Sequence, residues 1–119
     1  MIYHIASAAD WDAALEAGEY RTSTLGRTLE QVGFIHAAFA DQVRDVADRY
    51  YQDVAEPLVL LTIDETRLDV PVRVDDVPGS DQGFPHVYGP IEVAAVVMNT
   101  PLPRGVDGGL EIPALPPTE

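Results

Sequence analysis

Three histidines, seven arginines and no cysteine or lysine set the chemistry this chain can offer. Each histidine sits inside a short apolar run: Ile2-Tyr3-His4-Ile5, Gly33-Phe34-Ile35-His36 and Phe84-Pro85-His86-Val87-Tyr88. An imidazole titrates near neutral pH, so it can move protons, hydrogen-bond a ligand or hold a metal. A lone histidine on an apolar strand is usually a satisfied core residue. Three out of three in such runs favour a shared site built from histidine, tyrosine and arginine. The segment from Gly83 to Pro90 carries two glycines, two prolines, two aromatics and a histidine. Its prolines keep it extended, and His86 and Tyr88, two apart, then point the same way.

Other reactive groups are sparse. Arg21 and Arg27 lie among Thr22, Ser23, Thr24 and Gly26, a composition that can receive a phosphate through guanidinium and backbone N–H groups. The plain alternative is a solvated loop. Without cysteine, thiolate metal sites and disulfides are excluded, and without lysine so is Schiff-base chemistry. The serines are Ser7, Ser23 and Ser80, and none stands in a nucleophile-elbow motif. Walker and dinucleotide-binding glycine loops are also missing. A three-histidine zinc site would make a metal hydrolase. No two histidines have the close spacing of a helical or strand metal motif, so this is the weaker alternative and no metal ligand is assigned.

Charge narrows the partners. Twenty acids against seven bases give a net charge of −13. Such a surface repels phosphate backbones and lacks the counterion-release term that drives nucleic-acid binding, which makes nucleic acid a poor partner. A small-molecule partner is compatible with this charge. There is no apolar run of membrane-spanning length and no basic leader, so the expectation is a cytoplasmic chain with no membrane partner.

The elements that must position these groups are legible from periodicity. Residues 2 to 5 predict a strand, and Trp11 to Ala17 a helix stopped by Gly18 and capped by Ser7 or Asp10. Trp11, Ala14, Leu15 and Gly18 fall on one helix face. Glu19 to Thr28 reads as a polar loop with one helical turn toward Leu29-Glu30-Gln31. Gly33 to Phe39 predicts a short strand, and Asp41 the cap of the best helix. There Val43, Val46, Ala47, Tyr50, Tyr51 and Val54 form an amphipathic stripe. Leu58 to Ile63 reads as a central strand buried on both faces, and Leu68 to Val74 as a half-buried strand whose Pro71 marks an edge or a start. Ile91 to Met98 predicts another buried strand. The Pro-rich tail from about residue 105 to residue 119 is pinned through Leu110, Ile112 and Leu115, with Pro116 to Glu119 frayed. At 119 residues the chain predicts a single α+β domain with two main helices. Its sheet, mixed or mostly antiparallel, has five to six strands.

These motifs, in this order, resemble those of the small bacterial family known as domain of unknown function 952. The segments concerned are Ile2-Tyr3-His4-Ile5, Trp11 with Ala14 and Gly18-x-Tyr20, Gly33-Phe34-Ile35-His36, and Phe84 to Pro90. That family is in turn similar to the ADP-ribosyltransferase superfamily, especially its tRNA 2′-phosphotransferase branch. Tyr3-His4 resembles the first-strand motif whose histidine contacts the NAD ribose, and Gly33 to His36 resembles the second-strand segment. Tyr88, with Glu92 as the alternative, resembles the third-strand position. The resemblance implies an ADP-ribosyltransferase-like fold with NAD as substrate, its ADP-ribose transferred or hydrolysed. His4 and His36 would orient ribose hydroxyls, Arg21 or Arg27 would hold the pyrophosphate, and His86 would share the cleft. Ala37-Ala38 stand where that branch often carries a hydroxyl residue. The alternative function is a non-catalytic small-ligand or protein-binding domain with structural histidines.

Overall fold

A computed structural model describes residues 1–24, 26–77, 82–105 and 109–115. The chain begins with β1 (Ile2–Ser7), then α1 (Ala8–Ala17), which starts where Ser7 Oγ accepts from the Asp10 N–H. Gly18 ends α1 with a left-handed φ of 87°, a conformation glycine adopts without steric cost. Three short strands follow, β2 (Glu19–Tyr20), β3 (Thr22–Thr24) and β4 (Arg27–Thr28), before the single-turn α2 (Leu29–Val32). Thr28 and Gln31 cap α2 reciprocally. The second half runs β5 (Ile35–His36), α3 (Val43–Tyr50), β6 (Leu58–Ile63), β7 (Val72–Asp76), β8 (Gly83–Val87), β9 (Ile91–Glu92) and β10 (Val96–Pro101).

Two three-stranded sheets carry the architecture. In the first, β6 lies between β1 and β10; in the second, β8 lies between β5 and β7, and all these pairings are antiparallel. The segment after β5 joins them. Ala37 N–H bonds the Pro85 carbonyl on one side, while Tyr3 and Ala38 exchange paired backbone bonds of 2.8 and 2.7 Å on the other. The result is an α+β domain, as the periodicity predicts.

The pleat divides the interior into two cores. Ile2 and Ala6 of β1 point into one core with Trp11, Tyr20, Ile35, Leu61, Ile63 and Val87. Tyr3 and Ile5 point the other way, with Val43, Ala47, Tyr51 and Leu60. Leu60, Leu61 and Ile63 of β6 are at most 1% exposed, which explains the uninterrupted apolar run: a strand sandwiched between two cores needs no polar face. Burying each such side chain contributes about 1.5–3 kcal/mol. Leu110 is buried in the second core beside Ile112 and Leu115, so the tail is pinned as expected. Residues 116–119 lie outside the described residues.

Several boundaries differ from expectation, each for a physical reason. The strand expected from Leu68 starts only at Val72, because Pro71 has no N–H to give a ladder. Val74 is 61% exposed, since β7 is an edge strand. The run from Ile91 to Met98 is not one buried strand; a 3₁₀ turn at Val93–Ala95 breaks it, and β10 is an edge strand with Val97 and Met98 exposed. Leu15 is exposed; Trp11 and Ala14 are the buried residues of α1, with Ala8 packed beside them. Asp41 does not cap α3. A 3₁₀ turn (Ala40–Gln42) leads into that helix, and the Gln42 side chain accepts from Phe39 N–H and donates to Gly83 O.

Gly89 is glycine because of space. A Cβ there would stand 2.8 Å from Val70 Cβ, too close for any rotamer to relieve. Gly89→Ala should therefore cost about 1–3 kcal/mol by overpacking. Gly83→Ala meets only the tip of the exposed Val74 at 2.6 Å and should cost far less. Urea denaturation of the two variants checks the contrast.

Candidate functional site

The three histidines do not converge on one point. His4, between Ile2 and Ala6 in the pleat, turns its ring into the first core, where it is 4% exposed. Its Nδ1–H donates to the His36 carbonyl, and its Nε2 accepts from the Tyr20 hydroxyl at 3.0 Å. A carbonyl can only accept, so the tautomer follows from the partner. Burial lowers the His4 pKa to about 4, partly offset by the His36 carbonyl. Burial likewise pushes the Tyr20 phenol well above its ordinary value. His4 is therefore a neutral, fully bonded tie between β1, β2 and β5, with no ring nitrogen left to orient a ribose hydroxyl or ligate a metal.

His36 and His86 do meet. They are directly opposite in the β5–β8 register, and Arg73 continues the row on β7. Their ring centroids are 4.9 Å apart and nearly perpendicular. His86 is buried, stacked on Phe34 at 4.1 Å, with Nδ1 2.9 Å from Asp75 Oδ2. Tyr88, on the same face as His86, donates its hydroxyl to the same Asp75 oxygen, and Arg73 lies 5.2 Å from its ring centroid. The Tyr88 bond and then the His86 bond hold the Asp75 carboxyl below its usual range, while that carboxylate raises the Tyr88 phenol. The His36 ring is exposed and no described residue hydrogen-bonds it. Desolvation, then the neighbouring His86, lowers its pKa, so it is a free base at neutral pH.

A cleft of about 450 Å³ opens where the two sheets meet. Tyr3, Ile5 and Leu60 lie along one side, α3 supplies Val43, Val46 and Tyr50, its C-cap Tyr51 follows, and Ala37, Ala38 and Phe84 close much of the rest. His36 and Arg27 supply its nitrogen-bearing side chains, while His4 borders it from β1 with its ring turned into the first core. The volume is that of a small-molecule site, and the pattern of apolar walls with few polar groups is typical of one. Tyr50, on the apolar stripe expected to face the core, is 57% exposed at the rim.

The two arginines part company. Arg27 lines the cleft, and no described residue pairs with its guanidinium. Arg21 does not line it; Glu19 and Glu30 hold it, the latter at 2.7 Å. Tyr88 and His86 lie outside the cleft lining, on the sheet face that continues from His36. Glu92, the alternative third-strand residue, is exposed opposite Glu19. Its pKa is raised by Asp69, a carboxyl neighbour.

Asp75 and Phe34 are the residues sequence reasoning missed. Asp75 is on the polar side of the alternating run, two after Arg73, but its link to His86 and Tyr88 depends on which strand pairs with β7. Phe34 stands two before His36, so the i, i+2 rule that grouped His86 with Tyr88 also places Phe34 beside His36.

A two-core α+β domain with an apolar cleft at the junction of its sheets defines the class. Residues 5–99 match the family described as "Protein of unknown function (DUF952)", and the chain belongs to that family. The crystal structure of protein CC0527 from Caulobacter crescentus is similar, at 31% identity over 92% of each chain with a TM-score of 0.79. A double mutant of that protein, 30% identical, gives the same TM-score. Its solution structure matches at a TM-score of 0.74 over 91% of this chain and 89% of that one. No curated protein matches.

Proposed function

We propose that the protein binds a small, anionic, ring-bearing ligand in the cleft at the sheet junction, with a nucleotide such as NAD or ADP-ribose as the class. The observation that carries this is the pairing of Arg27 and His36, two polar groups without a hydrogen-bond partner among the described residues, on the wall of an apolar cleft. In a chain of net charge −13, an arginine that faces an apolar cleft without a carboxylate is available to an anion. Tyr50 at the rim offers a face on which a base can stack. Binding without catalysis is the reading favoured by His4, whose two nitrogens are both spent on the protein.

A second reading adds hydrolysis, supported by His36 alone as a free base in the cleft. A water's oxygen would bond the ribose carbon, its proton would pass to His36, and the electron pair of the carbon–nitrogen bond would leave with nicotinamide. This is the residue of the ADP-ribosyltransferase resemblance that the geometry supports, since His4 and Tyr88 are occupied elsewhere. Calorimetric titration with NAD and ADP-ribose tests binding. Heat with a single-site isotherm is expected, and no heat at millimolar ligand would refute it. Nicotinamide release, followed by chromatography, separates the two readings.

Among the described residues no helix is long and apolar enough to cross a membrane.

A further inference from the structure

The sheet face beside the cleft holds an unexplained atom. His86 Nε2 is buried and has no hydrogen-bond partner among the described residues. Such an orphan costs about 1–3 kcal/mol unless something completes it. Asp75 is a carboxylate that accepts from both His86 and Tyr88, so the His86 proton sits on Nδ1 and Nε2 carries a lone pair. The two nitrogens of an imidazole point away from each other. With Nδ1 turned toward β7, Nε2 faces the β5 side, where His36 is the register partner. Phe34 covers one face of the His86 ring and shields it from water on that side.

We propose that Asp75 and His86 are positioning residues for His36: His86 Nε2 accepts an N–H from His36, and the other His36 nitrogen is thereby left as the acceptor that faces the cleft. The perpendicular contact at 4.9 Å leaves this bond a turn of the His36 ring away. That ring is exposed, has no competing hydrogen bond, and its χ2 torsion is soft. A carboxylate behind a histidine fixes the tautomer of the ring it holds, and the chain Asp75–His86–His36 passes that choice one ring further. The charged and titratable groups around His36 are His86 and Tyr88 on the β8 side, Asp75 and Arg73 on β7, and Arg27 on β4. His4 bonds its carbonyl and lies within electrostatic range of its ring. This inference builds on the reading of His36 as the polar group of the cleft.

Long-range proton–nitrogen NMR of histidine-labelled protein at pH 7.5 tests it, and three rings are few enough to assign. Wild type should show His86 protonated on Nδ1 and His36 in one tautomer. In His86→Phe and in Asp75→Ala, the His36 nitrogen shifts should collapse toward the average of free imidazole. A wild-type His36 already at that average, a His86 protonated on Nε2, or an unchanged His36 tautomer in a folded variant would each overturn the proposal. Should a variant not fold, the wild-type spectrum decides alone. No ligand is added, so a failed nucleotide titration leaves this result standing, and a failed relay leaves the titration standing.

Discussion

Acidification from pH 6.5 to pH 4 should remove on the order of 3 kcal/mol of stability through His4 alone. The ring is buried and its pKa is about 4 in the folded protein, against about 6.5 in an unfolded chain. Well above pH 6.5 neither state binds a proton there, and the contribution is complete. As pH falls below 6.5 the unfolded state takes up a proton that the folded state refuses, so folding weakens by about 2 kcal/mol at pH 5. The loss levels off once the folded ring also protonates, near pH 4. His36, shifted the same way, adds to the slope in this window. Asp75, Glu30 and Asp64 have depressed carboxyls and lose their contributions only at lower pH. Urea unfolding of wild type and His4→Gln at pH 7.5 and pH 5 isolates the His4 share. The variant should be less stable at pH 7.5, because the Tyr20 hydroxyl and the His36 carbonyl lose their ring partner, yet lose less between the two pH values. Equal losses would contradict this account of His4.

Arg27→Ala should weaken binding of an anionic ligand about 10- to 100-fold, as expected for one charge-assisted hydrogen bond or pair lost. The fold should be unaffected within about 0.5 kcal/mol, since the side chain is exposed and unpaired among the described residues. Arg21→Ala should do neither. That guanidinium lies outside the cleft between two exposed carboxylates, and surface pairs of this kind contribute little. Ligand calorimetry with thermal melts on both variants checks the split. Equal effects of the two substitutions on affinity would show that charge at large, rather than the cleft, attracts the ligand.

The sequence alone spoke clearly where burial is symmetrical or local. Leu58 to Ile63 read as a central strand because both faces lie against cores, and Gly18 ended α1 through its own backbone. It misled where an element lies at an edge. Val97 and Met98 look like core residues, yet the open side of β10 leaves them exposed, and nothing local distinguishes an edge strand from a buried one. The site split the same way. His86 and Tyr88 were grouped correctly by the i, i+2 rule. The rule does not reach from His4 to His36, which belong to strands of different sheets, and it is the backbone pairing of Tyr3 with Ala38 that relates them. Arg21 and Arg27 are equivalent in composition; which one faces the cleft is decided by Glu19 and Glu30, through contacts that no motif encodes.

Amide NMR of the labelled protein during addition of ADP-ribose tests the central claim most directly. The cleft account predicts saturable shifts concentrated at Ala37, Ala38, Val46, Tyr50 and Phe84, with the exposed edge of β10 at Val97 and Met98 unmoved. Absence of shifts at millimolar ligand, or shifts centred on that edge, would contradict it.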